Sequence, residues 1–245
     1  MLSLKDHPFP VETFFENSLV LTYAAPKEEL VSLIPECLTL DTYKDTWAFL
    51  AAAMVKTRGL RPKGLPEVIG NDFILIGYRV FVRFKTTAGK SLRGLYILGS
   101  QTNRKKMEFW GNIFTHYNYT TTDIDFIKED SIVTVHSEAS GLDVKVNCSS
   151  AGAELPAGSP FDNWNDARKF AGPLPFTFTY NKPKKEVLII EGVRSNWKPE
   201  PVEVINDKVT FIESKNIKGL KLANAFMIEN IPYHWKKGRK ELWNG

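Results

Sequence analysis

The chain has almost no cysteine: two in 245 residues, Cys37 and Cys148, far apart. That excludes a disulfide scaffold and a CxxC redox or metal motif, and it fits a reduced, cytoplasmic compartment. Histidine is scarce too. His7, His116, His136 and His234 show no zinc-type spacing, so no metal site is expected. No apolar run reaches the roughly 18 residues that a membrane span needs. The first ten residues hold Lys5, Asp6 and two prolines and lack a signal-peptide core. There is no GxSxG elbow, Walker loop or dinucleotide fingerprint, so nothing calls for a cofactor. Aromatic residues are not interleaved with basic ones, which argues against nucleic acid as a partner. No charge of one sign dominates: 32 basic and 28 acidic residues leave +4, spread along the chain, which only weakly permits an anionic partner.

Hydrophobic residues make up 43% and charged residues 24%, an ordinary globular balance, and residues 1–245 are expected to form one domain. Strands are expected at Leu19–Tyr23, Trp47–Val55, Phe73–Thr86, Leu92–Ser100, Ile132–Ala139 and Leu142–Ser149. Further ones are expected near Phe176–Tyr180, Glu186–Val193 and Lys208–Ile212. A short helix is expected after Pro26 and another near Asp162–Phe170, the latter ending at Gly172-Pro173. Residues 59–71, rich in Gly and Pro, read as a loop, and Lys236–Lys240 as a solvated terminus. Many short strands with few helices give a mainly β fold, a barrel or sandwich.

Three constellations carry possible chemistry. In the strand Phe73–Lys85 the even positions, Ile74, Ile76, Tyr78, Val80, Val82 and Phe84, are all apolar or aromatic. The odd face holds Arg79 and Arg83 among Phe73, Leu75 and Phe81, so two guanidinium groups stand side by side on a face too apolar for solvent. They form either a clamp for a ligand carboxylate or structural salt bridges. In Asn103–Asn112, Asn103 could cap a helix whose first turn carries Arg104, Lys105 and Lys106 against the dipole; an anion would relieve that conflict, as would plain solvent. In Thr115-His116-Tyr117-Asn118-Tyr119, His116 can exchange a proton near neutral pH, or be satisfied by the backbone. His136 and Glu138 share a strand face and form a weaker acid–base pair.

The order of motifs resembles the YqjF-like family, grouped with acetoacetate-decarboxylase-like proteins. The resemblance rests on His7-Pro8-Phe9-Pro10, Leu60–Pro66, Gly77–Phe84, Leu92–Leu95, Gly111–Tyr117, Phe170–Pro175, Leu222–Phe226 and Tyr233-His234-Trp235, nearly the whole chain. It implies a cone-shaped, mostly antiparallel β-barrel with a central cavity. In the decarboxylases a lysine forms a Schiff base with a β-keto acid and a second lysine helps depress its pKa. The similar stretch here, Trp110-Gly111-Asn112-Ile113, is followed by Phe114 and Thr115 where those lysines would stand. The resemblance thus implies a small-molecule cavity without the Schiff-base pair. Its ligand would be a carboxylate or carbonyl compound, held by Arg79 and Arg83, with Trp110, Asn112, Thr115 and Tyr117 around it and His116 as the candidate catalytic group. If an enzyme, it is a lyase or another small-molecule enzyme; the alternative is a non-catalytic ligand sensor or a protein-interaction barrel. Oligomeric state and ligand identity stay open.

Overall fold

A computed structural model describes residues 3–149, 154–172 and 174–245. The strands are β1 (Val11–Pro26), β2 (Thr39–Leu40), β3 (Trp47–Pro62), β4 (Asn71–Lys85), β5 (Ser91–Thr102), β6 (Tyr119–Thr121), β7 (Asp125–Glu129) and β8 (Ile132–Ser137). They continue with β9 (Leu142–Asn147), β10 (Phe176–Asn181), β11 (Glu186–Arg194), β12 (Glu200–Pro201), β13 (Glu203–Val209), β14 (Lys221–Trp235) and β15 (Arg239–Leu242). The α-helices are α1 (Lys27–Leu30), α2 (Lys105–Phe114), α3 (Trp164–Phe170) and α4 (Thr210–Glu213). Pro173, expected to stop α3, lies outside the described residues; Asn163 caps the helix start by accepting from the Asp166 amide.

The large sheet runs β14-β1-β3-β4-β5 with every pair antiparallel. It continues through β10, parallel to β5, and β11, antiparallel to β10. β11 then returns to β14, with Gly192, Val193 and Arg194 opposite Trp235, His234 and Tyr233. The path of pairings therefore closes on itself. A second sheet, β13-β9-β8-β7, is wholly antiparallel.

Alternation on β4 explains how the two sheets meet. Its even residues Ile76, Tyr78, Val80, Val82 and Phe84 are buried and share one core with Val133, Val135, Leu142 and Val144 of the second sheet. Tyr78 stacks on Phe211 at 3.9 Å between ring centres. On the odd face Phe81 joins a separate core with Phe49, Phe161 and Phe170, which fills one end of that side.

Several expectations are corrected. β3 does not stop at Val55 but runs to Pro62, because Gly59 adopts φ +66 in a bulge between Thr57 and Leu60 and the pairing resumes beyond it. The strand expected at 208–212 lies earlier, and Thr210 begins α4, its hydroxyl donating to the Gly141 carbonyl. The basic terminus is not simply solvated: Arg239–Leu242 pairs with β11, and Lys240 Nζ sits 2.7 Å from the Asp6 carboxylate. Asn103 does not cap α2. Its Oδ1 accepts from the Ile74 amide at 2.8 Å, and Arg104, Lys105 and Lys106 face solvent.

Candidate functional site

On the odd face of β4, Leu75, Gly77 and Arg79 line a partly enclosed cavity of about 120 Å³. Ala53 and Val55 of β3 stand opposite Gly77 and Leu75 and line it as well. The hollow follows from residue size: Gly77, Ala53, Ser18 and Ser100 leave space that larger side chains would fill. A Cβ at Gly77 would meet no atom within 4 Å.

Two guanidinium groups occupy this cavity wall. Arg79 comes from β4. Arg194 comes from the last residue of β11, placed by the short pairing that sets it opposite Tyr233. Gly192 makes that approach possible, since a Cβ there would fall 1.9 Å from Tyr233 Oη. The Arg194 guanidinium carbon lies 4.0 Å from the Trp197 ring centre and 5.9 Å from that of Tyr233. Among the described residues no carboxylate side chain lines the cavity. Among the described residues, Arg194 Nε and Nη2 and Trp197 Nε1 are buried without a hydrogen-bond partner.

The electrostatics follow from this burial. Arg79 is half-buried, and the surface it keeps faces the cavity. Its guanidinium is pushed down to about 10, chiefly by burial, with the Arg194 charge adding to the shift and Tyr233 and Tyr117 opposing it. Arg79 is therefore still a cation at neutral pH. Burial lowers Arg194 also. A buried cation without an anionic partner is costly, so its retention marks the site. Tyr117 and Tyr233 are pushed up by burial and stay neutral phenols at neutral pH. Tyr117 Oη lies 2.7 Å from Thr177 Oγ1, and both residues line the cavity. Arg194 and Tyr233 also line an outer cleft of about 480 Å³ with Arg58, Arg61, Lys63 and the carboxylates of Glu12 and Glu67, so they stand where the two spaces adjoin.

The structure divides the residues expected from sequence. Arg79 and Tyr117 line the cavity. Arg83 does not: its Nε donates to Asp41 Oδ1 at 2.6 Å, and Arg93 Nε donates to Asp41 Oδ2 at 2.7 Å. Arg79 thus shares the cavity wall with Arg194 and not with Arg83. Asn112 exchanges two hydrogen bonds with the Tyr119 backbone, and the Thr115 hydroxyl donates to the Gly111 carbonyl, so both close the end of α2. Trp110 is 45% exposed and stacks on Phe114. His116 Nε2 is 3.6 Å from Asp6 Oδ1 and is not among the cavity-lining residues. His136 faces Asp143 at 3.7 Å, not Glu138, on an exposed surface. Sequence reasoning missed Arg194, Trp197, Thr177 and Tyr233. The available signal was a cation closing the strand that begins with the apolar run Val187–Ile190, and Tyr233 and Trp235 sharing one face of β14.

Among solved structures, the fold is similar to acetoacetate decarboxylase from Legionella pneumophila subsp. pneumophila str. Philadelphia 1, with TM-score 0.62 and 11% identity over 95% of this chain and 87% of that one. It is also similar to an acetoacetate decarboxylase-like enzyme from Sphingomonas wittichii RW1, with TM-score 0.59 and 10% identity over 98% and 95%. A third is the enduracididine biosynthesis enzyme MppR complexed with the condensation product of pyruvate and imidazole 4-carboxaldehyde, with TM-score 0.52 and 8% identity over 96% and 87%. At these identities the likeness establishes the fold alone. None of the curated proteins matches the chain. The model of the family DUF2071, an uncharacterized conserved protein (COG2071), matches residues 13–237. The chain therefore belongs to the DUF2071 family and has the acetoacetate-decarboxylase-like fold.

Proposed function

We propose that this protein binds a small organic acid in the cavity, with Arg79 and Arg194 holding its carboxylate. The observation that carries this reading is two guanidinium groups on the wall of a partly enclosed cavity that, among the described residues, no carboxylate side chain lines. Guanidinium and carboxylate match in planar, two-pronged geometry, and the pairing strengthens away from water. Tyr117 and Thr177 suit a carbonyl or hydroxyl at the far end of the ligand. A volume of about 120 Å³ approaches the ~150 Å³ void that admits benzene, so the acid has roughly six non-hydrogen atoms around its carboxyl end. The cavity is then the hollow of a cone-shaped barrel, a reading supported by the pairing path that returns from β11 to β14.

Binding is reversible and proceeds without a Schiff base. Among the described residues the lining contains two arginines and no lysine, and Lys105 and Lys106 face solvent. The same lining supports a ligand sensor as readily as an enzyme, and the YqjF-like motif order belongs to this reading. Calorimetric titration with pyruvate, acetoacetate and their amides tests it. The acids bind and the amides do not, and Arg79→Met and Arg194→Met each weaken the acids about ten-fold or more. Acid binding that survives both substitutions, or that equals amide binding, overturns the proposal. Borohydride treatment with acetoacetate leaves the mass unchanged; a lysine adduct would restore Schiff-base chemistry.

A further inference from the structure

A second pocket, of about 110 Å³, lies next to the polar cavity along the same strands. The register fixes their order. Ala53 stands opposite Gly77, Val55 opposite Leu75 and Thr57 opposite Phe73. The first pair lines the polar cavity, Leu75 lines both spaces, and Thr57 and Phe73 line the second. Gly77 to Phe73 is a rise of about 13 Å along the strand. Leu75, Tyr117, Tyr119 and Trp235 face both spaces, so side chains alone form their shared wall.

The other walls are apolar: Phe9, Leu60, Met107, Trp110 and Phe114 contribute. Helix α2 presses onto this side through Gly111, where a Cβ would fall 2.4 Å from the Tyr119 ring. Thr57 and Thr115 also line the pocket, their hydroxyls donating to the Phe73 and Gly111 carbonyls, and His7 adds an imidazole. His7 is 6% exposed, and its Nδ1 is buried without a hydrogen-bond partner among the described residues. The His7 backbone is fixed on both sides, its amide donating to the Phe114 carbonyl and its carbonyl accepting from the Gly238 amide. Burial lowers the imidazole pKa against two backbone hydrogen bonds that raise it, so the ring is neutral at neutral pH.

We infer that this pocket is a second subsite that takes an aromatic ring, and that the ligand is an aryl-substituted short-chain carboxylic acid. This rests on Arg79 and Arg194 as the carboxylate site. The ring enters past Leu75 and Tyr117, packs against Phe9, Phe73 and Phe114, and leaves His7 Nδ1 to meet a hydroxyl or N–H on its far edge. The pocket's volume of about 110 Å³ is somewhat smaller than the ~150 Å³ void that admits benzene, and the pocket is partly open, so a ring seats in it without being wholly enclosed.

Calorimetry with pyruvate, phenylpyruvate and 4-phenyl-2-oxobutanoate tests the inference, on the wild type and on Leu60→Trp, which fills the apolar pocket. At least one aryl acid binds the wild type about ten-fold or more tighter than pyruvate, and Leu60→Trp removes that gain while pyruvate binds as before. Equal affinities in the wild type, or an aryl gain that persists in a folded Leu60→Trp, overturn the subsite and leave the carboxylate site standing. If no acid binds, both readings fall. Circular dichroism checks the fold, and Val11→Phe, which fills the same pocket from the neighbouring strand β1, repeats the test if Leu60→Trp does not fold.

Discussion

The Arg194 guanidinium lies over the face of Trp197, 4.0 Å from the ring centre, and both side chains carry buried nitrogen atoms that no other described residue satisfies. The indole orients the cation toward the cavity. Trp197→Ala frees Arg194 and raises the dissociation constant for a small acid about ten-fold, whereas Trp197→Phe, which keeps an aromatic face, stays within about three-fold. Isothermal titration distinguishes the two, and equal losses would refute a stacking role.

Arg79 trades stability for binding. At neutral pH the folded chain carries its charge in a buried site, so Arg79→Met raises stability by about 1–3 kcal/mol while weakening acid binding. The pH dependence has a definite sign. Burial holds the folded guanidinium at about 10, below the ordinary arginine value of the unfolded chain. Between those values the unfolded chain holds more protons, so this group's contribution to stability rises with pH there; below pH 10 the full penalty applies. Denaturant melts of wild type and variant at neutral pH give the difference directly.

Arg83 behaves differently despite sharing the strand face. Asp41 is fully buried and accepts from Arg83 and Arg93 together. Asp41→Asn is expected to cost about 2–3 kcal/mol, less than the ~3–5 of a fully buried pair, because both arginines reach solvent. Arg83→Met leaves acid affinity unchanged. A ten-fold loss of affinity in Arg83→Met would return that residue to the ligand site.

Gly77 keeps the cavity open. Gly77→Val places its branches in space that no atom occupies within 4 Å of the Cβ, and valine suits a strand. Acid binding falls about ten-fold or more, while the melting temperature holds or rises, since glycine in a strand costs about 0.5–1 kcal/mol. A folded Gly77→Val that binds acids normally would show the cavity to be unrelated to ligand. Gly192→Ala is the contrasting case, because its methyl collides with Tyr233 Oη and must displace the ring.

Local pattern was enough for much of the fold. The period-two alternation of β4 needed only neighbouring residues, and the strands expected at Phe73–Thr86 and Leu92–Ser100, and at Ile132–Ala139 and Leu142–Ser149, form and pair as neighbours. The length of β3 was hidden because Gly59 and Pro62 read as breakers, while a bulge and the partner β1 override them. The second sheet was hidden for a similar reason: β13 joins β9 across a sequence gap of more than fifty residues, which no local rule reports.

The sequence by itself determined a mainly β chain, a strand with one wholly apolar face, and two arginines on the other that needed partners. Arg79 and Arg83 are equivalent in that pattern, two steps apart. Only the tertiary structure separated them. The pairing of Thr39 with Arg83 brings Asp41 to one, and the three-residue contact between β11 and β14 brings Arg194, not an acid, to the cavity that holds the other. Alternation is a property of neighbours along a chain, but a charge finds its partner through space, and register between distant strands decides which charge that is.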